Sequence, residues 1–116
     1  MDYKFINSEY LESVSEGDPD IVNELVELFK EQSIEIYDEM NKFLTEKNFS
    51  MLALLAHKAK SSVAIMGMSS LADMLKTFEH QAKEGKDQIM YESYLKRFKT
   101  ETDGAVRELE DLINNM

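Results

Sequence analysis

Three residues spaced for one helical face combine a nucleophile, a cation and a hydroxyl: His57, Lys60 and Ser61. Residues three and four positions apart on a helix are neighbours, so the imidazole would have an ammonium and a hydroxyl beside it. Ala53 and Ala64 fall on the same face and are small enough for another protein to come close. A neutral imidazole nitrogen is a nucleophile, and a lysine one turn away would stabilise an anion formed on it. From the residues alone, His57 is also compatible with a surface histidine or a partly buried one at the edge of an apolar face.

The distribution of charge points to the same segment. The chain has 116 residues, of which 13 are basic and 23 acidic, for a net charge of −10. Residues 51–86 contain 5 bases and 3 acids and carry +2, whereas residues 1–50 carry −9 and residues 87–116 carry −3. A locally positive segment in an acidic protein favours an acidic partner or a phosphoryl group. The overall charge disfavours a general nucleic-acid binder and a polybasic membrane-surface protein.

Several other chemistries lack the residues they need. The chain has no cysteine, which excludes disulfides, thiolate metal sites and cysteine nucleophiles. A carboxylate-bridged di-metal bundle needs Glu-x-x-His pairs, but Leu54 and Thr77 stand three residues before His57 and His80. No glycine-rich phosphate loop is present for a nucleotide. We therefore expect no metal site, and we expect His80 to be a surface histidine.

The predicted fold is all-α: an antiparallel up-down four-helix bundle with a short extra N-terminal helix, forming a single domain over residues 1–116. One proline and four glycines leave few residues for the turns of a many-stranded fold. Caps and breakers predict the helix ends. The short helix is predicted to begin at Asn7 or Ser8 and to end at Ser15–Gly17, and the second helix to begin at Asp18 and Pro19. The third helix is predicted to run from the cap Asn48 to Gly67, the fourth from Ser69 or Ser70 to Gly85, and the last to begin at Asp87.

Apolar residues recur at three- and four-residue steps and predict the inward face of each long helix. These faces are Val22, Leu25, Phe29, Ile36, Met40 and Phe43; Leu52, Leu55, Ala56, Ala59, Val63 and Met66; Leu71, Leu75, Phe78 and Ala82; and Tyr91, Leu95, Phe98, Thr102, Ala105, Leu109 and Leu112. Ser33 interrupts the first of these faces.

The segment around the histidine resembles the histidine-containing phosphotransfer (HPt) domain family. Such domains carry an Ala-His pair, a lysine three residues later, a glycine ten residues after the histidine, and then a leucine and a hydrophobic-Glu pair on the next helix. The matching residues are Ala56-His57-Lys58-Ala59-Lys60-Ser61-Ser62, Gly67, Leu71 and Phe78-Glu79. Two positions depart from the family pattern: Ser61 replaces the usual glycine and Ala59 the usual leucine. Neither departure removes the histidine or the lysine of the motif.

The resemblance implies a phosphoryl carrier rather than an enzyme acting alone. Such a domain takes a phosphoryl group from an aspartyl phosphate on a receiver domain, holds it as phosphohistidine and passes it to another receiver. His57 would be the acceptor, Lys60 would stabilise charge, and Ser61 is a candidate hydrogen-bond donor to the phosphoryl group. The receiver would supply the aspartate and Mg²⁺, so this chain is expected to carry no cofactor of its own.

The expected partners are response-regulator receiver domains or a hybrid sensor histidine kinase. They are predicted to dock around His57, on Ala53, Leu54, Lys58, Ala64, Gly67 and Met68. The alternative is a helical adaptor or scaffold of the same fold that binds a signalling partner while His57 stays unphosphorylated. Because the start lacks signal-peptide features and no apolar run is long enough to span a membrane, we expect a cytoplasmic protein, by default a monomer.

Overall fold

The computed structural model describes residues 3–116, and within that range the chain forms helices and no strand. The five helices are α1 (Ser8–Ser15), α2 (Pro19–Thr45), α3 (Phe49–Ile65), α4 (Ser69–Glu84) and α5 (Tyr91–Asn114), with a short 3₁₀ turn at Gln88–Met90 before the last. The four long helices pack in a ring, with α2 and α4 each in contact with both α3 and α5. Short connections reverse the chain between neighbours, which confirms the predicted all-α bundle.

Side-chain caps fix where the first three helices begin. Each cap oxygen accepts a hydrogen bond from a backbone N–H two or three residues further on, at 2.9–3.3 Å: Asn7 for α1, Asp18 for α2 and Asn48 for α3. These bonds satisfy N–H groups that have no partner within the first turn. Pro19 then occupies the start of α2, as the sequence predicts.

Two predicted caps are wrong. The N-cap of α4 is Met68, and no side-chain hydrogen bond caps this helix, so neither Ser69 nor Ser70 has that role. Helix α4 already begins at Ser69, so the cap position falls on Met68, whose buried side chain has no oxygen that could accept a hydrogen bond. Asp87 takes a left-handed conformation, with φ of 57°, and precedes the 3₁₀ turn, so α5 begins only at Tyr91. A side-chain cap normally needs an extended backbone at the cap residue, which Asp87 lacks.

The core is built from the predicted faces of the four long helices. Leu25 and Phe43 are only half-buried, while Val26, which the periodicity did not select, is buried. The interruption at Ser33 is accommodated because its buried hydroxyl donates a 2.7 Å hydrogen bond to the carbonyl oxygen of Phe29. Every other predicted core residue of these helices is buried.

The segment before α1 is anchored to α5 by one carboxylate. The backbone N–H groups of Lys4, Phe5 and Ile6 all donate to the carboxylate of Glu108, at 2.8–3.1 Å. This places the N-terminal segment over one end of the bundle. No helix within residues 3–116 is both long enough and apolar enough to cross a membrane.

Candidate functional site

His57 lies near the middle of α3 and points out of the bundle. Its neighbours Ala56 and Ala59 are fully buried, whereas the side chain of His57 is 59% exposed. Successive helical residues are rotated by about 100°, which carries the imidazole from the buried stripe to the surface beside α4. The ring is therefore open to a second protein on one side and supported by α4 on the other.

Glu79 of α4 is the residue that organises this site, and sequence reasoning gave it no role of its own. Its side chain is 9% exposed, and its Oε1 atom lies 3.0 Å from Nδ1 of His57. The same oxygen lies 3.7 Å from Nζ of Lys60, and Oε2 lies 3.0 Å from Nζ of Lys83. One nearly buried carboxylate thus contacts the imidazole and two ammonium groups.

The position of Glu79 in the sequence contained a usable signal. It lies four residues after Leu75 and three before Ala82, both of which belong to the predicted inward face of α4. A glutamate at the edge of an apolar stripe is nearly buried and needs polar partners. Only the packing of α4 against α3 determines that His57 is one of those partners.

The charges around Glu79 determine its protonation. The hydrogen bond from Lys83 is the largest influence, and although burial opposes it, this bond and the contact with His57 lower the pKa of Glu79 to about 2. Glu79 is therefore a carboxylate near neutral pH and can only accept hydrogen bonds. It follows that Nδ1 of His57 is the donor in their contact. In the neutral imidazole the proton then resides on Nδ1, and Nε2 keeps a free lone pair.

The other two predicted chemical residues occupy different positions relative to the ring. Lys60 is 30% exposed and shares the Oε1 atom of Glu79 with His57, which holds its ammonium close to the imidazole. Ser61 is exposed, and its hydroxyl makes only a long contact of 3.5 Å to the carbonyl oxygen of His57. That contact is weak enough for the hydroxyl to rotate toward another acceptor.

The predicted docking residues separate into an exposed and a buried group. Leu54 is 62% exposed, and Lys58 and Ala64 are exposed as well, so these three surround His57 on the outer face of α3. Ala53 and Met68 are each only 3% exposed, and the prediction that they contact a partner is wrong. Ala53 is rotated into the core next to the stripe, and Met68 packs inside the bundle at the start of α4.

Gly67 has a packing role that accounts for its identity. Its φ is +75°, and a Cβ atom placed there would lie 2.6 Å from Cβ of Asn7. The N–H of Asn7 also donates to the carbonyl oxygen of Met66 at 3.4 Å. Gly67 therefore lets the N-terminal segment approach the α3–α4 connection, and its contact with a partner stays a prediction.

A comparison with known families completes the description of the site. The Hpt domain family model matches residues 24–116, which include His57, Lys60, Glu79 and Lys83. This chain belongs to the Hpt domain family. The first residues of α2 and all of α1 precede the matched range.

This Hpt domain is also similar to a curated protein. Over 95 residues it is 27% identical to the phosphorelay intermediate protein YPD1 of Candida albicans, an alignment that covers 81% of this chain and 50% of that protein. The chain thus spans about half the length of the curated relative that it matches. No solved structure matches the chain.

The second histidine of this Hpt domain lies apart from these contacts. His80 is exposed, as predicted, and its side chain takes no part in the hydrogen bonds or ion pairs of His57 within residues 3–116. In the same range, no group of three or more His, Cys, Asp or Glu residues is arranged to hold a metal ion.

Proposed function

We propose that this Hpt domain is a phosphoryl carrier in a two-component phosphorelay and that Nε2 of His57 is its acceptor atom. The contact between Nδ1 of His57 and the carboxylate of Glu79, at 3.0 Å, carries this proposal. It fixes the proton on the inner nitrogen and leaves the outer nitrogen nucleophilic on an exposed ring. A helical adaptor would not need an exposed imidazole that is oriented in this way.

The donor is an aspartyl phosphate on a response-regulator receiver domain, which also supplies Mg²⁺. Nε2 of His57 attacks the phosphorus, the N–P bond forms, and the bond between phosphorus and the aspartyl oxygen breaks. The aspartate leaves as a carboxylate with the bonding electron pair. No proton has to leave Nε2, because the ring proton stays on Nδ1 next to Glu79. Transfer to a second receiver is the reverse sequence.

The charges of the site match the needs of this transfer. Once His57 is phosphorylated, the ring holds a positive charge that the carboxylate of Glu79 stabilises through the Nδ1–H bond. Lys60 lies one helical turn from the ring and compensates the negative oxygens of the phosphoryl group. Ser61 is a candidate donor to the same oxygens. The chain contributes no cofactor, and it acts as a carrier whose catalysis depends on the receiver.

The receiver, or a hybrid sensor kinase that contains one, docks on the outer face of α3. Leu54 supplies an exposed apolar contact, Ala64 leaves room for the approaching backbone, and Lys58 offers a positive charge. In a strongly acidic protein, these residues belong to the segment with a net positive charge, which favours the acidic surface around a receiver's phosphorylated aspartate. We propose that the Hpt domain acts as a monomer in this encounter.

The test is transfer of radiolabelled phosphate in the presence of Mg²⁺. A panel of receiver domains phosphorylated on aspartate, together with phosphoramidate as a small-molecule donor, is incubated with the wild type and with the variants His57→Gln and His80→Gln. The proposal expects label on the wild type and on His80→Gln that is stable to base and lost in acid, and none on His57→Gln. Label that persists on His57→Gln would place the acceptor elsewhere. A folded wild type that no donor labels would favour the adaptor.

A further inference from the structure

A cavity of about 190 Å³ lies between α2 and α5, lined by residues of both helices. In the ring of four helices this edge is opposite the α3–α4 edge that carries His57 and Glu79. None of the residues that line the cavity belongs to the phosphotransfer site. The cavity therefore requires its own explanation.

The cavity forms where the apolar faces of the two helices are both interrupted. Ser33 of α2 and Thr102 of α5 are buried and line it, where larger apolar side chains would fill the space. Each hydroxyl donates a 2.7 Å hydrogen bond to a backbone carbonyl oxygen one turn earlier in its own helix. Ser33 donates to the carbonyl oxygen of Phe29, and Thr102 donates to that of Phe98. The two hydroxyls therefore already have hydrogen-bond partners, and no side chain of either residue fills the space beside them.

Three cations and one carboxylate line the cavity. Lys30 comes from α2, Lys99 and Arg107 come from α5, and among residues 3–116 Asp103 is the only acidic residue in the lining. The formal charge of the lining is therefore +2, although the whole protein carries −10. The structure brings these cations together from two segments that are each acidic overall. A concentration of positive charge in an acidic protein attracts anions.

The lysines that line the cavity form only exposed ion pairs, so they can pair with a bound anion instead. Lys99 pairs with Asp103 at 3.2 Å and Lys30 with Glu110 at 3.8 Å, and in both pairs each side chain is about half exposed. Exposed pairs of this kind contribute little to stability, so an arriving anion can replace the carboxylate. Arg107 forms no ion pair with any of residues 3–116 and offers the planar donor pair that binds carboxylate and phosphate oxygens.

The size and lining of the cavity define the ligand. A cavity of about 150 Å³ in another protein is large enough to hold benzene. Ile34 and Val106 are the apolar side chains that line the cavity among residues 3–116. We propose that this α2–α5 cavity binds a small organic anion: a phosphate monoester or carboxylate whose apolar part is about the size of one ring. The anionic group contacts Arg107 and Lys99, and the apolar part lies against Ile34 and above Ser33.

The experiment is a titration of the full chain, labelled for amide nitrogen–proton NMR, with phenyl phosphate, benzoate, inorganic phosphate and neutral benzyl alcohol. The proposal expects saturable shifts at residues 30–34 and 99–107 for phenyl phosphate, benzoate or both, and the response of each shows which anionic group is preferred. Inorganic phosphate and benzyl alcohol should bind about tenfold more weakly than the better organic anion, because each lacks one half of the ligand.

Two variants separate the charge from the space. Arg107→Gln removes a charge but leaves the cavity open, and it should weaken binding about tenfold. Ser33→Leu fills the cavity with a larger side chain and should abolish binding. Lys96→Gln removes an exposed charge from the same helix outside the cavity and should leave binding unchanged. The proposal is overturned if no probe gives saturable shifts in these two segments, or if Arg107→Gln and Lys96→Gln bind the preferred probe alike.

Discussion

The imidazole of His57 and the carboxylate of Glu79 join α3 to α4 through a contact of 3.0 Å at the surface of the bundle. Because Glu79 is nearly buried and His57 is mostly exposed, the contact connects a rigid part of the fold to a group that another protein can reach. A carboxylate held in this way does two things for the ring. It restricts the rotation of the imidazole, and it determines which nitrogen carries the proton.

Replacing Glu79 by glutamine should weaken both effects. The amide oxygen of Glu79→Gln can still accept from Nδ1, but the charge that favours this tautomer and stabilises phosphohistidine is lost. Hydrogen bonds to charged groups contribute about 1.5–3 kcal/mol, so phosphotransfer should slow by about 10- to 100-fold. Nitrogen NMR of the imidazole should show one tautomer, protonated on Nδ1, in the wild type and a mixture in the variant.

The matched control for this prediction is Glu84→Gln. Glu84 is an exposed glutamate at the end of the same helix, and it pairs with Lys86 at 3.2 Å. Its replacement should change neither the rate nor the tautomer. Equal effects of the two variants would mean that the general loss of acidic charge, and not the contact with His57, is responsible.

The low pKa of Glu79 should make the protein less stable in acid. The folded value of about 2 lies below the ordinary value of 4.5, so the carboxylate stabilises the fold above pH 4.5 and this contribution is lost as the pH falls toward 2. The loss should amount to about 1–3 kcal/mol of the free energy of unfolding. Denaturant titrations at a series of pH values measure it. In Glu79→Gln this part of the pH dependence should disappear. In Lys83→Met it should be smaller and should be complete at a higher pH, because the folded pKa of Glu79 then lies closer to 4.5.

Lys60 should affect transfer much more than it affects stability. Its ammonium is 3.7 Å from Glu79 and partly exposed, so removing it costs the fold little. In the proposed mechanism the oxygens of the transferring phosphoryl group then lose their cation, so Lys60→Gln should slow transfer about tenfold or more. Lys76→Gln is the control, because Lys76 is an exposed lysine on α4 that forms no ion pair within residues 3–116. A Lys60→Gln protein that transfers at the wild-type rate would remove this residue from the site.

Gly67 and Gly17 allow a comparison that measures how much the close approach of the N-terminal segment contributes to stability. Both have positive φ, at +75° and +72°, so an alanine at either position is strained by about 1 kcal/mol. A Cβ atom at Gly67 would also lie 2.6 Å from Cβ of Asn7, whereas no atom of residues 3–116 outside its chain neighbours lies within 4 Å of one at Gly17. Chemical denaturation should therefore show Gly67→Ala to be the less stable variant. If the two lose the same stability, the contact with Asn7 has no energetic weight.

The helices could be predicted from the sequence because local signals agree with the final packing. Pro19, Asn48 and Gly85 mark helix ends through their own backbone and side-chain preferences, and the apolar faces follow from periodicity. The start of α5 could not be predicted in this way. Asp87 has the residue type of a cap, but its left-handed conformation depends on how the chain leaves α4.

The site was only partly predictable for a similar reason. His57 and Lys60 lie on one helix, so their proximity follows from spacing alone. Glu79 joins them only through the packing of α4 on α3, which no spacing within one helix encodes. The α2–α5 cavity shows the same limit, since its charges come from two segments that a count along the chain describes as acidic.

Leu54 provides the sharpest test of where a receiver docks. It is 62% exposed on α3, three residues before His57, and it makes no contribution to the core cluster. Leu54→Asp places a negative charge where the proposed docking brings an acidic receiver surface, so transfer should fall about tenfold or more through weaker binding of the receiver. Because the side chain is exposed, the free energy of unfolding should stay within about 0.5 kcal/mol of the wild type. Phosphorylation by phosphoramidate should also be unchanged, since that reaction needs no docking.

Ile89→Asp is the control, because Ile89 is 91% exposed but lies at the turn before α5. Should Leu54→Asp and Ile89→Asp slow transfer from a receiver equally, docking on this face of α3 would be excluded.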